Sequence, residues 1–317
     1  MELQLDGITK TFGEKKVLEG ISFTAAGGAA LGLLGRNGAG KTTTIRIIMG
    51  VFPPDSGQVL LDGRPIQEAG ISFGYLPEER GLYPKQKIID QMVYIGRLRG
   101  LSRQAAKKSA DYWLERLDMT AHRNDLLRTL SKGNQQKIQL GVCLIHNPDV
   151  VILDEPFSGL DPVNAQLLKD VVTELAAAGK AVIFSSHQMS YVEEFCDSIA
   201  MLDKGRIALQ GNLRAIKRSY DRTHILVCLD GGRTLERLEA LRAADKLHGF
   251  VSGLEPAVTA ASSAADADAG AIVHVAAPED KDRLLAAILA ADASLETFQV
   301  MEPTLEQIFV ERVGESV

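Results

Sequence analysis

Residues Gly35-Arg36-Asn37-Gly38-Ala39-Gly40-Lys41-Thr42 fit the pattern G-x-x-x-x-G-K-[ST], and their reading decides the fold. The run before them, Ala29-Ala30-Leu31-Gly32-Leu33-Leu34, is apolar and reads as a buried parallel strand. The run after them, Thr43-Thr44-Ile45-Arg46-Ile47-Ile48-Met49, reads as a helix. Strand, glycine loop and helix in that order are the context in which the pattern has physical meaning. Glycines at 35, 38 and 40 let the backbone curl until successive N–H groups point into one concavity, an anion nest at a helix N-terminus. In such a nest Lys41 reaches the β- and γ-phosphates of a nucleotide, and the Thr42 hydroxyl ligates Mg²⁺.

A chain of 317 residues predicts about two domains. Its 45% hydrophobic and 24% charged residues are those of a globular protein. The net charge of −6 argues against a nucleic-acid partner, which calls for a basic surface. No apolar run approaches the roughly 18 residues that cross a bilayer. Met1-Glu2-Leu3-Gln4-Leu5-Asp6 has neither the basic start nor the apolar core of a signal peptide. Cys143, Cys196 and Cys228 are far apart and in no C-x-x-C spacing, so they are expected to be reduced packing residues in a cytoplasm. If the protein works at a membrane, another chain must carry the lipid-facing part.

Leu3, Leu5 and Ile8 have strand spacing, Thr11 to Lys16 is a polar turn, and Val17–Phe23 is extended again. Phe12 on that turn is either a platform for a purine ring or a hairpin-tip aromatic packing locally. Gln58–Gly63 reads as a strand, and Ile71–Glu79 as a strand running into a loop. From about Ile88 to Leu130 the pattern turns helical, an inserted block closed by Leu130-Ser131-Lys132-Gly133-Asn134-Gln135-Gln136. Lys137–His146 reads as a helix that starts at that glycine turn, from about Asn134. Val150–Pro156 is an apolar strand ending in two carboxylates, Ser158–Asp161 a turn, Val163–Ala178 a helix, and Ala181–Ser186 a strand ending at His187. A helix and a hairpin around Asp203-Lys204-Gly205 finish a parallel α/β core. After about residue 220 the order βαββαβ predicts a small ferredoxin-like α+β domain, with an Ala/Ser/Asp-rich loop between Ala257 and Gly270 expected to be mobile and a last helix over Thr304–Val313. His224, His248 and His274 are irregularly spaced and read as solvated or packed imidazoles.

Phosphoryl transfer to water needs charge neutralisation, a positioned metal and an oriented nucleophile. Asp154, at the end of a buried strand, is placed to hold the Mg²⁺ shell, and Glu155 to accept a proton from the attacking water. His187 either hydrogen-bonds the γ-phosphate or orients that base. Ser131-Lys132-Gly133 at a helix start is a second anion-binding feature. One γ-phosphate does not need two helix N-termini from one chain, so the second is expected to serve the nucleotide of another copy. That predicts a head-to-tail, two-fold dimer with ATP at the seam.

In order and spacing, Gly35–Thr42, Leu130–Gln136, Val150–Glu155, Ser158–Asp161 and His187 resemble the ATP-binding subunit of an ABC transporter over about residues 1–215. The resemblance implies a P-loop ATPase core over 1–218, with a helical subdomain at about 84–134 and an accessory α+β domain over 219–317. It implies Glu155, His187 and Lys41 as catalytic residues. The nucleotide contacts would be Phe12 as the adenine-stacking aromatic, Val17, Gly35, Arg36, Asn37, Gly38, Ala39, Gly40, Lys41, Thr42 and Thr43. Ser131, Gly133 and Asp161 would reach across the dimer, and Thr42, Glu78 and Asp154 would hold the metal. ATP and Mg²⁺, a separate transmembrane permease, a second copy or paralogue, no nucleic acid, and a peripheral place on the cytoplasmic face of the membrane come with it. Tyr75–Pro84 and Glu302–Phe309 look most like the sodium-exporter-type branch. Two positions depart from the family pattern. Glu78 stands where a metal-contacting Gln is usual, so it either binds metal more tightly or senses the membrane partner. Lys132 stands where Gly is usual, either adding positive charge near the phosphates or facing solvent. The competing class is a soluble ABC-type ATPase acting on ribosomes or nucleic acid; a single P-loop, no long heptad arm and no basic tail speak against it.

Overall fold

The computed structural model describes residues 1–79, 81–157, 160–220, 222–257, 270–291 and 293–314. The chain divides into two compact units, Met1–Leu213 with Phe309–Val317, and Arg214–Ile308.

The first unit opens with a long hairpin, β1 (Glu2–Phe12) and β2 (Lys15–Ala26), whose alternating burial follows the period of two expected of a half-buried strand. The turn is only Gly13 and Glu14, narrower than the Thr11–Lys16 turn the polar composition suggests, because Phe12 and Lys15 still pair across the ladder. After β3 (Ala30–Gly35) and α1 (Lys41–Ile48) come β4 (Ser56–Leu61) and the short β5 (Arg64–Pro65), which extend the hairpin into the antiparallel sheet β2-β1-β4-β5. Next is β6 (Phe73–Leu76). The helical block consists of α2 (Ile88–Leu98), α3 (Arg103–Arg116), two short 3-10 turns and α4 (Lys132–Leu144). Ser102 caps α3 by accepting from the Ala105 N–H at 3.1 Å.

The structure starts α4 at Lys132, two residues ahead of the expected Asn134. The Ser131 hydroxyl accepts from the Asn134 N–H at 3.3 Å and so takes the N-cap position. Then follow β7 (Val150–Asp154), α5 (Pro162–Ala177), β8 (Ala181–Ser186), α6 (Met189–Phe195) and the hairpin β9 (Ser198–Asp203) and β10 (Arg206–Asn212). Asp161 caps α5, and Pro162 takes the first helical position, where its missing N–H costs nothing.

These strands build a six-stranded sheet in the order β10-β9-β3-β8-β7-β6, parallel except for the β9–β10 edge. β3, β7 and β8 are buried at every position, which is why each reads as an unbroken apolar run rather than an alternating one. In a sheet of this kind ligand sites form beyond the carboxyl ends of the strands. The glycine loop, Asp154-Glu155, Ser186-His187 and Pro77-Glu78 all stand at those ends.

Beyond α7 (Leu213–Ser219), the second unit contains β11 (His224–Leu229), α8 (Thr234–Ala243), β12 (Val251–Pro256), β13 (Ala271–Val275), α9 (Asp280–Leu289) and β14 (Leu295–Val300), and α10 (Leu305–Gly314) ends the described chain. The sheet order β12-β13-β11-β14, antiparallel throughout, is that of a ferredoxin-like sandwich. Its core is the apolar face of Ile225, Val227, Leu229, Val273 and Val275 against Leu238 of α8 and Leu284 and Ile288 of α9. The strand register places His224 directly opposite His274, with ring centroids 4.2 Å apart, a pairing that irregular sequence spacing does not reveal. The Ala/Ser/Asp-rich loop falls, at residues 258–269, outside the described residues.

Candidate functional site

The glycine loop closes on itself. Ala39 N–H donates to the Arg36 carbonyl at 3.1 Å, and Lys41 Nζ donates to the Gly35 carbonyl at 2.7 Å. Gly40 sits at φ +113, and a Cβ there would lie 2.6 Å from Leu18 Cδ2 and 3.2 Å from the Val17 carbonyl. The loop therefore packs against β2, and only glycine allows both the backbone turn and the approach. A cavity of about 280 Å³ opens over it, lined by Lys15, Val17, residues 36–38 and 40–43, Glu78, Asp154 and Glu155.

The two carboxylates at the end of β7 are held in different ways. Asp154 and Ser185 are register partners on adjacent parallel strands, so their side chains share a face, and the Ser185 hydroxyl donates to Asp154 Oδ1. Tyr75 of β6 donates to Asp154 Oδ2 at 3.3 Å. Burial and then the neighbouring Asp154 charge push the Tyr75 phenol up to about 12, so it remains a donor. Glu155 leaves the strand at φ +48, a conformation that costs a non-glycine residue about 1–3 kcal/mol and turns its carboxylate away from Asp154. Glu155 Oε1 accepts from His187 Nδ1 at 2.8 Å and Oε2 from the Ser186 hydroxyl at 3.2 Å. Lys41 Nζ lies 3.8 Å from the same Oε1. Burial lowers the Lys41 pKa, and Glu155, Asp154 and Glu78 pull it back.

Of the expected site residues, the structure brings Val17, Arg36, Asn37, Gly38, Gly40, Lys41, Thr42, Thr43, Glu78, Asp154 and Glu155 to one cavity, with Gly35 and Ala39 buried in the loop beneath it. Phe12, Ser131, Gly133, Asp161 and His187 are not among its lining residues, although His187 bonds to Glu155, which is. Phe12 is 48% exposed, and its ring meets Phe52 edge-on at 5.5 Å. Ser131, Gly133 and Asp161 belong to a second place. A Cβ on Gly133 would lie 3.1 Å from Asn164 Nδ2, and that amide donates to Asp161 Oδ2 at 2.6 Å. The backbone N–H of Asn164 holds the Asp161 carboxyl below the usual range. Ser158 and Gly159 of the expected turn lie outside the described residues.

Several hydrogen-bond partners of the expected site residues escape a reading by motif. Ser185 and Ser186 are two hydroxyls at the end of an otherwise apolar buried strand, a signal available in the sequence. Tyr75 carries no such mark. Nor does Gln139, whose amide donates to the Pro77 and Glu79 carbonyls at 3.3 and 3.1 Å and so clamps the backbone on either side of Glu78 to α4. Gln136 in turn donates to the Pro156 carbonyl, tying α4 to the segment after the carboxylates.

Thr42, Glu78 and Asp154 offer oxygen donors only, the set that suits Mg²⁺ rather than zinc. Among the described residues no three His, Cys, Asp or Glu side chains converge on a metal position. No helix among them is long and apolar enough to cross a membrane.

Residues 18–158 match the ABC transporter family, and residues 211–313 match the C-terminal domain of DrrA1-3-like ATP-binding proteins. The chain is 41% identical to the ABC transporter ATP-binding protein YhaQ of Bacillus subtilis, over 98% of both chains. This chain belongs to the ABC transporter ATP-binding proteins. The linearmycin resistance ATP-binding protein LnrL of the same organism is 34% identical over 99% of each chain. Among solved structures, an ATP-binding subunit of an ABC transporter superposes with a TM-score of 0.63 at 28% identity, covering 69% of this chain and 93% of its own. The chain is thus an ATP-binding subunit of the P-loop type, and the cavity described above opens over its glycine loop.

Proposed function

We propose that this ABC ATP-binding subunit hydrolyses ATP to power export through a separate membrane permease, working as a head-to-tail pair with ATP at the seam. The observation that carries the reading is the Glu155 carboxylate, 7% exposed, fixed by His187 and Ser186 and turned toward the cavity that Lys41 lines. A water over that carboxylate gives up its proton to it as the water oxygen bonds to the γ-phosphorus and the bond to the β–γ bridging oxygen breaks. Lys41 and the loop amides bind the phosphates, while Ser185 and Tyr75 hold Asp154 in one orientation. Mg²⁺, held by Thr42 and Asp154 with Glu78 alongside, would supply charge neutralisation at the phosphates.

The pairing rests on the second face. Ser131, Gly133 and Asp161 are gathered away from their own chain's cavity, an arrangement that makes sense if they meet the phosphates and loop of another copy. A groove of about 970 Å³ supports permease docking, since it joins Thr42, Glu78 and Asp154 to Leu98 and Arg99 at the end of α2. In this reading the chain sits peripherally on the cytoplasmic face of the membrane.

Glu155→Gln tests the proposal. The amide keeps the shape but is no base, so turnover falls by about 10²–10⁴ while ATP binding persists and an ATP-bound dimer accumulates on a sizing column. Wild-type hydrolysis by that variant would remove Glu155 as the base.

A further inference from the structure

We propose that Phe309 is a positioning residue of the nucleotide site, acting through Arg36 on the entry to the glycine loop. The inference rests on reading Gly35–Thr42 as the ATP cradle. Arg36 is the first residue after β3, and its carbonyl accepts from Ala39 N–H at 3.1 Å, the bond that starts the curl of the loop. The preceding carbonyl, that of Gly35, receives Lys41 Nζ. The internal bonding of the loop therefore hangs on residues 35 and 36.

The Arg36 residue is exposed, and among the described residues no carboxylate pairs with its guanidinium. Its partner is an aromatic face, the guanidinium carbon lying 5.4 Å from the centroid of the Phe309 ring. Phe309 belongs to the same compact unit as the loop. It is 3% exposed on the face of α10 that also buries Leu305 and Ile308, whereas the next residue, Val310, is 59% exposed. The buried ring is thus held in place, and the exposed arginine is the partner that gains order from it. A cation over a ring face is held by the ring quadrupole, and the hold strengthens as water is excluded. Tethering Arg36 at the loop entry keeps the amides beyond it pointed into the nest before ATP arrives, which is pre-organisation of a binding site.

A phenylalanine that only packs would be indifferent to the charge at position 36 and would affect folding rather than ATP affinity. Equilibrium binding of ATP to the full chain, without Mg²⁺, separates the two. Phe309→Leu is expected to raise the ATP Kd about 2- to 10-fold, the range a cation–π contact supports. Phe309→Tyr, which keeps the ring, is expected to bind like the parent. In an Arg36→Gln chain, Phe309→Leu is expected to add nothing further. Unchanged or tighter binding by Phe309→Leu, or additive effects in the double variant, overturns the proposal.

A second measurement holds even if Phe309→Leu does not fold. Coupling is reciprocal, so Arg36→Gln, at an exposed position, is expected to speed amide exchange in residues 305–314, and unchanged exchange there overturns the proposal too. If the parent chain itself does not bind ATP, the cradle reading falls and this inference with it. If the parent binds ATP and the variants bind and exchange as the parent does, this inference alone falls.

Discussion

Replacing His187 with alanine separates binding from chemistry in this site. The His187 side chain is 46% exposed, but its Nδ1 reaches a carboxylate that is 7% exposed. Removing it takes from Glu155 one of two side-chain hydrogen bonds and leaves the 3.2 Å bond from Ser186. Lys41, 3.8 Å away, still attracts the carboxylate with about 4 kcal/mol at an effective dielectric of about 20, so Glu155 keeps its place beside the lysine. What it loses is direction. A hydrogen bond to a charged group contributes about 1.5–3 kcal/mol, and if that is spent on orienting the base, kcat falls about 10- to 150-fold. ATP binding depends on the loop and should stay within about twofold, because the interaction lost matters only when the proton moves. Steady-state turnover with saturating ATP, alongside equilibrium ATP titration, measures both quantities on one preparation. A kcat within a factor of about two of the parent would refute the orienting role. Equal losses in kcat and affinity would show that His187 supports the fold of the site rather than its chemistry.

Two further outcomes probe the second face and the packing around the groove. Ser131→Asp keeps a good N-cap on α4, so thermal stability should change by less than about 0.5 kcal/mol, yet ATPase activity should collapse because a carboxylate would face the other copy's phosphates. Parent-like activity would remove Ser131 from the dimer seam. His146 donates from Nε2 to the Phe73 carbonyl at 3.0 Å, while its buried Nδ1 has no partner among the described residues, and burial lowers its pKa from the usual 6.5. The unfolded chain therefore binds the proton first on acidification, so this site's contribution is complete above about pH 6.5 and declines as pH falls toward the folded value. A His146→Asn chain should show a flatter stability profile between about pH 6.5 and 5 in urea melts, and an identical slope would contradict the assignment.

The local pattern was enough to read the phosphate loop, the parallel core and the carboxylate pair. An unbroken apolar strand running into glycines or acids has few other physical solutions, and a helix must start where the loop amides need one. The βαββαβ order of the second unit was legible for the same reason, since each element carries its own periodicity. The sequence places Ser131-Lys132-Gly133 at a helix start, and the structure settles the first turn: α4 begins at Lys132, with the Ser131 hydroxyl accepting from the Asn134 N–H.

What the tertiary structure alone decided is which groups hold the Asp154 carboxylate, the Glu78 loop and Arg36 in place. Tyr75 and Asp154 are 79 residues apart and meet because β6 and β7 are neighbours, and Ser185 meets Asp154 because the β7–β8 register aligns them. Gln139 reaches the Glu78 loop across 60 residues, and Phe309 meets Arg36 from the far end of the chain. Such contacts are set by strand order and helix placement, which arise from burying the whole core at once, and no short stretch of sequence contains that information.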